Sequence, residues 1–325
     1  WLEDCVDDLH RALDKKGIRV KPHAWLSDEW FSSEATPGIA IPFYLAHPRL
    51  MRLERKKIID VEGGSRSECM RILRHETGHV IQHSYQLQRR RRWQQLFGHS
   101  STRYPDYYRP NPGSRKYVQH LRLWYAQSHP DEDFAETFAV WMAQPPSQWR
   151  RRYAGWPALK KLEYVHELMD EIGNEKPGLT GRAFVDPVST LGITLEEYYR
   201  QKQKRYMSRP PTVHDRDLKR IFSDDPKDRR APKASTFLRL HGPEIRRTVA
   251  KWTGQYQLTL DALLDEMTDR CRALKLRAPG RDRQMIIDFT VLLTAKTVQS
   301  LGSHSRMCFH QRSSRAKAKA HSPLI

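Results

Sequence analysis

The residues best suited to chemistry stand five in a row: His75-Glu76-Thr77-Gly78-His79. On a helix, residues four apart share one face, so both imidazoles can reach one metal ion. Glu76 projects beside that face and can take a proton from a zinc-bound water. Gly78 costs helix stability relative to alanine, and a glycine between two candidate ligands points to close approach of another backbone. The competing reading is two surface histidines on an ordinary helix, and context must separate the two.

A catalytic zinc site needs a third protein ligand and one open position. The pattern HExxHxxGxxH would require Gly and His at positions held by Gln82 and Tyr85. His83 lies one turn past His79, roughly 6 Å along the axis, and reads as a surface or supporting residue. The remaining source is a carboxylate on a separate helix, and Asp131-Glu132-Asp133-Phe134-Ala135-Glu136 fits. Glu132 and Glu136 are four apart and share a side. One can bind zinc while the other accepts from a ligand histidine and fixes its tautomer. A helix dipole alone would favour a solvated acidic first turn, but zinc bound by HETGH needs this partner.

Elements must carry these residues. Ser65-Arg66-Ser67-Glu68 has the form of a capping box, which predicts a helix from there to about Tyr85. A second helix is predicted from Pro130, a good first-turn residue, to the residues before Pro145-Pro146. A third covers roughly 157–172. Leu2, Val6, Leu9 and Leu13 recur at helical spacing over 1–16. Strands are predicted at Ile18–Val20, Gly38–Leu45 and Lys57–Val61, with Pro42 marking the second as an edge or bulge. An edge there could add an extended peptide as another strand. Residues 99–115 read as a long loop rich in Tyr, Pro and Gly, of a kind that is usually functional or disordered, and it could act as a lid over the cleft.

HETGH, followed by SHPDEDFAETFAVW, resembles the bacterial zinc-binding metallopeptidases of the gluzincin type, and the arrangement is similar to the catalytic domain of anthrax lethal factor. The resemblance spans roughly residues 1–205 and is sharpest at 65–85 and 125–142. It implies an α+β fold with a zincin-like catalytic domain, a small mixed sheet plus active-site helices. It implies His75, His79 and Glu132 as ligands of one Zn2+ per chain, Glu76 as general base and Glu136 as the carboxylate behind a ligand histidine. Tyr125, seven residues before Glu132, falls where such enzymes keep a tyrosine facing the metal. That tyrosine could donate to a developing oxyanion, although in LRLWYAQ it could equally be a core aromatic. The function so implied is hydrolysis of peptide bonds in a peptide or protein substrate by a zinc-activated water. The long basic spacer between the motifs departs from compact gluzincins and leaves the substrate class open.

The rest of the chain bounds this reading. Its 325 residues, with nine Trp, thirteen Tyr and ten Phe, suffice for two domains with a real core. The reading is a catalytic domain over 1–208, a proline-rich polar linker over 209–235, a small helical region of unknown role over 236–302, with helices at 243–253, 258–275 and 283–300, and a disordered tail over 303–325. The four cysteines form no CxxC pair. No apolar run approaches a membrane span, and the start is acidic and amphipathic rather than signal-like. A cytoplasmic protein is predicted, provided no leader was removed before Trp1. From Arg209 onward 24 Lys and Arg face 12 Asp and Glu, so this part holds +12 of the net +19. Such charge permits nucleic acid or another polyanion as a partner. The alternative function is therefore a nucleic-acid-associated binding protein with a structural or vestigial metal site. On that reading Arg89–Arg92 would grip phosphates, and Tyr104, Tyr107 and Tyr108 would stack bases.

Overall fold

A computed structural model describes residues 1–105, 108, 111–173, 175–206 and 215–304. The chain divides into two units. The first comprises Trp1–Glu54 and Val61–Ile193, and the second joins Arg55–Asp60 to the described residues from Thr194 to His304.

The first unit opens with helix α1 (Leu2–Lys15), which buries Cys5, Leu9 and Leu13 along one stripe. Three short strands follow: β1 (His23–Ser27), β2 (Phe31–Ser32) and β3 (Gly38–Pro42). They form a mixed sheet in the order β1-β3-β2, with β1 parallel and β2 antiparallel to β3. After α2 (Pro48–Ile58) comes α3 (Arg66–Ser84), whose N-cap Ser65 accepts from the backbone N–H of Glu68 at 3.2 Å. Then follow α4 (Arg91–Phe97), α5 (Pro130–Ala143), α6 (Pro146–Arg152) and α7 (Ala158–Ile172).

The sheet departs from the sequence reading in three ways. Ile18 and Val20 are buried but find no strand partner, and the ladder starts at His23 instead. In the Lys57–Val61 stretch, Lys57 and Ile58 close α2, and the chain turns at Ile59 with φ 70°. The strand with Pro42 is central, not an edge. Pro42 is tolerated because β2 pairs only with Ile39 and Ala40, so the proline lies past the end of that ladder. The edge strands of the sheet are β1 and β2.

Helix α5 is the axis of this unit. Every residue from Asp131 to Met142 is buried. Phe134 meets Trp93 and Phe97 of α4 with ring centroids 5.9 and 5.4 Å apart. Against α3 the packing is closer still. A Cβ built on Gly78 would lie 2.7 Å from the Cα of Ala135. Only a residue without a side chain lets the two backbones meet there, which is what a glycine inside HETGH pointed to.

The second unit is helical: α8 (Leu195–Tyr206), α9 (Asp215–Ile221), α10 (Ala234–Thr253), α11 (Gln257–Ala273) and α12 (Asp282–His304). Its core includes Leu218, Phe222, Phe237, Met267 and Phe289. Much of the segment read as linker is thus built into this core, because Leu218 and Phe222 have apolar surface to bury. Helix α10 also starts nine residues before Pro243 and runs through it. Of the tail expected to be disordered over 303–325, residues 303 and 304 end α12, and the rest lies outside the described residues.

Candidate metal centre

Helices α3 and α5 cross at Gly78 and Ala135, and the side chains beside that contact converge. His75 and His79 point from α3, and Glu132 and Glu136 from the first two turns of α5. His75 Nε2 lies 3.0 Å from Glu132 Oε2, His79 Nε2 lies 3.2 Å from the same oxygen, and the two Nε2 atoms are 3.2 Å apart. All three side chains are buried. Zinc bonds of about 2.0–2.2 Å set the edges of a ligand tetrahedron at roughly 3.3 Å or slightly more. The triangle here is a little tighter, and its two imidazoles and one carboxylate are a donor set that catalytic zinc uses. Among the described residues this is the group of His, Cys, Asp and Glu that could hold a metal ion.

A second layer fixes the first. His75 Nδ1 lies 2.9 Å from Glu136 Oε1. The other oxygen of Glu136 accepts from the backbone N–H groups of His120 and Leu121 at 3.2 and 2.8 Å. Burial works to raise the Glu136 pKa, but the His75 hydrogen bond, the nearby histidine charges and the Leu121 N–H outweigh it and hold the carboxyl below its ordinary range. Glu132 behaves alike: burial opposes ionisation, yet His79 and His75 hold it well below the carboxylate norm. In the metal-free site burial pulls the His75 pKa down, while hydrogen bonds and charge from Glu132 and Glu136 push it up to about 10.

The acidic first turn of α5 is therefore not a solvated face. Asp131 accepts from Gln82 Nε2 at 2.7 Å and from Ser100 Oγ at 3.0 Å. Asp133 meets the Lys161 ammonium from α7, and burial still raises its carboxyl to about 7 against that charge. Four buried carboxylates with partners on one short stretch mark a built site, since an ion left unpaired in a protein interior is costly.

Glu76 is buried on α3 beside His75, and its charge acts on Tyr125. Tyr125 is buried in a 3-10 turn, Arg122–Gln127, with its ring centroid 5.6 Å from that of His75. Burial, then the Glu132 charge, raises its pKa well above the phenol norm, so its hydroxyl stays protonated. His83 stacks on His79 with centroids 6.5 Å apart and stands outside the ligand triangle.

The six residues singled out by sequence thus share one buried locus. A family model described as "Putative zinc-binding metallo-peptidase" matches residues 68–145. That span runs from the first turn of α3 to just past α5 and holds all six. No curated protein and no solved structure matches the chain.

Sequence reasoning missed His120, His129, Lys161 and the true part played by Tyr104. Tyr104 points inward: its hydroxyl donates to Glu132 Oε1 at 2.9 Å and its ring stacks on His129 at 3.7 Å. It is not displayed for bases. Three surface arginines have carboxylate partners. Arg90 pairs with Glu171 and Arg92 with Glu167, each at 2.6 Å, and Arg150 forks onto Glu163 at 2.7 and 2.8 Å. Tyr107 lies outside the described residues. No helix among the described residues is long and apolar enough to cross a membrane.

Proposed function

We propose that the protein is a zinc-dependent metallopeptidase that hydrolyses peptide bonds in a protein or peptide substrate, with a zincin-like catalytic domain read over 1–208, of which the part from Thr194, including α8, falls in the second unit. The observation that carries this reading is the convergence of His75, His79 and Glu132 onto one buried point, inside the stretch that the peptidase model matches. His75 Nε2, His79 Nε2 and Glu132 Oε2 would hold one Zn2+, and Glu136 would hold His75 by its Nδ1 proton, so that Nε2 is the free donor atom. Zinc supplies Lewis acidity, which polarises a carbonyl oxygen and makes water acidic near neutral pH.

The chain's own groups do the remaining work. Glu76 takes the proton of the attacking water and returns it to the leaving amine. Tyr125, kept protonated by burial, donates to the carbonyl oxygen as charge develops there. The burial of the whole set keeps competing water away and strengthens each of these interactions. Of the groups assigned to nucleic acid in the alternative reading, Tyr104 faces Glu132 rather than solvent, and Arg90 and Arg92 sit in exposed ion pairs with Glu171 and Glu167.

Metal analysis joined to proteome-wide cleavage mapping tests the proposal. One zinc per chain is expected in wild type and in Glu76→Gln, with new cleavage products from wild type alone. Equal product patterns from the two proteins would remove Glu76 as base, and a metal-free wild type would remove the enzyme reading altogether.

A further inference from the structure

The third ligand is held by more than its helix. The segment 100–104, nearly thirty residues upstream of Glu132, is fastened to the start of α5 at four points. Ser100 Oγ donates to Asp131 Oδ2 at 3.0 Å. His129 Nε2 lies 2.7 Å from the carbonyl of Thr102, while His129 Nδ1 accepts the N–H of Asp131 at 3.1 Å and caps the helix. Tyr104 lies flat on the His129 ring, with planes 11° apart, and its hydroxyl donates to Glu132 Oε1 at 2.9 Å. The Glu132 carboxylate is thereby divided. Oε2 faces both imidazoles, and Oε1 is engaged by the tyrosine.

A carboxylate on a flexible side chain can turn about its last bond and offer a metal one oxygen or both. A hydroxyl fixed against one oxygen removes that freedom, and the stack on His129 fixes the hydroxyl. We infer that Tyr104 is a positioning residue of the metal centre, which orients Glu132 to present Oε2 alone and so preserves an open position on the ion. This rests on the reading of Glu132 as a ligand. On this reading residues 100–104, the first part of the 99–115 loop, act as a strut of the site.

Tyr104→Phe tests this, because it keeps the ring on His129 and removes only the hydroxyl. Zinc affinity is to be measured by chelator competition in four proteins: wild type, Tyr104→Phe, Glu132→Ala and the double variant. The visible absorption of the cobalt(II)-substituted wild type and Tyr104→Phe proteins is to be recorded alongside. Loss of an outer partner typically weakens metal binding about ten- to a hundredfold. That loss is expected for Tyr104→Phe with Glu132 present, together with a changed cobalt spectrum, and no further loss is expected once Glu132 is Ala. A merely structural tyrosine would lower affinity equally in both backgrounds and leave the cobalt spectrum alone. Either that result, or wild-type affinity and spectrum in Tyr104→Phe beside metal loss in Glu132→Ala, overturns the proposal while sparing the ligand reading. Full zinc retention in Glu132→Ala would overturn the ligand reading and the proposal with it.

Discussion

At the scale of single residues, the centre is a set of shared oxygens and nitrogens, and each has a separable effect. His75→Ala or His79→Ala should abolish stoichiometric zinc, and Glu132→Ala should weaken it severely. Glu136→Ala removes only the acceptor behind His75 and should cost about ten- to a hundredfold. Chelator competition ranks the four, and a larger loss at Glu136 than at Glu132 would exchange their roles. The proton that His75 carries in the metal-free site gives a second prediction. Its folded pKa of about 10 lies above the ordinary 6.5. The stability it lends is therefore complete below about 6.5 and is lost as pH rises through about 10, where the unfolded chain binds fewer protons than the native one. Zinc must displace that proton. The gap in melting temperature between zinc-loaded and chelator-treated protein should thus widen from pH 7 to pH 10 at fixed free zinc, and a constant gap would contradict the assignment.

At the scale of elements, the crossing of α3 and α5 at Gly78 sets the reach of every ligand. Gly78→Ala gains helix propensity of about 1 kcal/mol but drives a Cβ to 2.7 Å from backbone at Ala135. Overpacking of that kind costs about 1–3 kcal/mol, and since backbone rather than a flexible side chain must yield, a net loss of roughly 1–2 kcal/mol is expected. Denaturant melts of the two proteins measure it, and zinc affinity should fall with it. These two helices were also the most legible parts of the sequence. Ser65 and Pro130 gave their starts, and the i, i+4 pairs 75/79 and 132/136 gave their facing sides. The sheet was not legible, because Ile18–Val20 and Lys57–Val61 have strand-like composition without partners, while pairing is decided by segments far apart. Tyr104, His120 and Lys161 carry no periodic signal at all. They reach the site through a loop, a turn and a third helix, and only the folded chain brings them to Glu132, Glu136 and Asp133.

At the scale of the whole molecule, every group proposed to hold metal, or to hold a ligand, lies between Ser100 and Glu136 or on α3. A chain ending at residue 208 is therefore expected to bind one zinc with an affinity within about threefold of the full chain, a margin of less than about 1 kcal/mol. Isothermal titration of the purified fragment checks this. A soluble but metal-free fragment would mean that the helical unit with its core of Leu218, Phe222 and Phe289 contributes to the centre. The +12 carried from Arg209 onward then belongs to a part of the chain whose charge can be altered without touching the metal.

The fastening of residues 100–104 across the start of α5 also bears on time. An ion held by side chains on open helices leaves at a rate set by its own bonds. Here Tyr104 holds Oε1 of Glu132, and Thr102 and Ser100 hold the neighbouring His129 and Asp131. On the proposed assignment of Glu132 as a ligand, release of the ion is expected to wait on local opening of this short stretch, so chelator-driven zinc loss should be faster in Tyr104→Phe than in wild type.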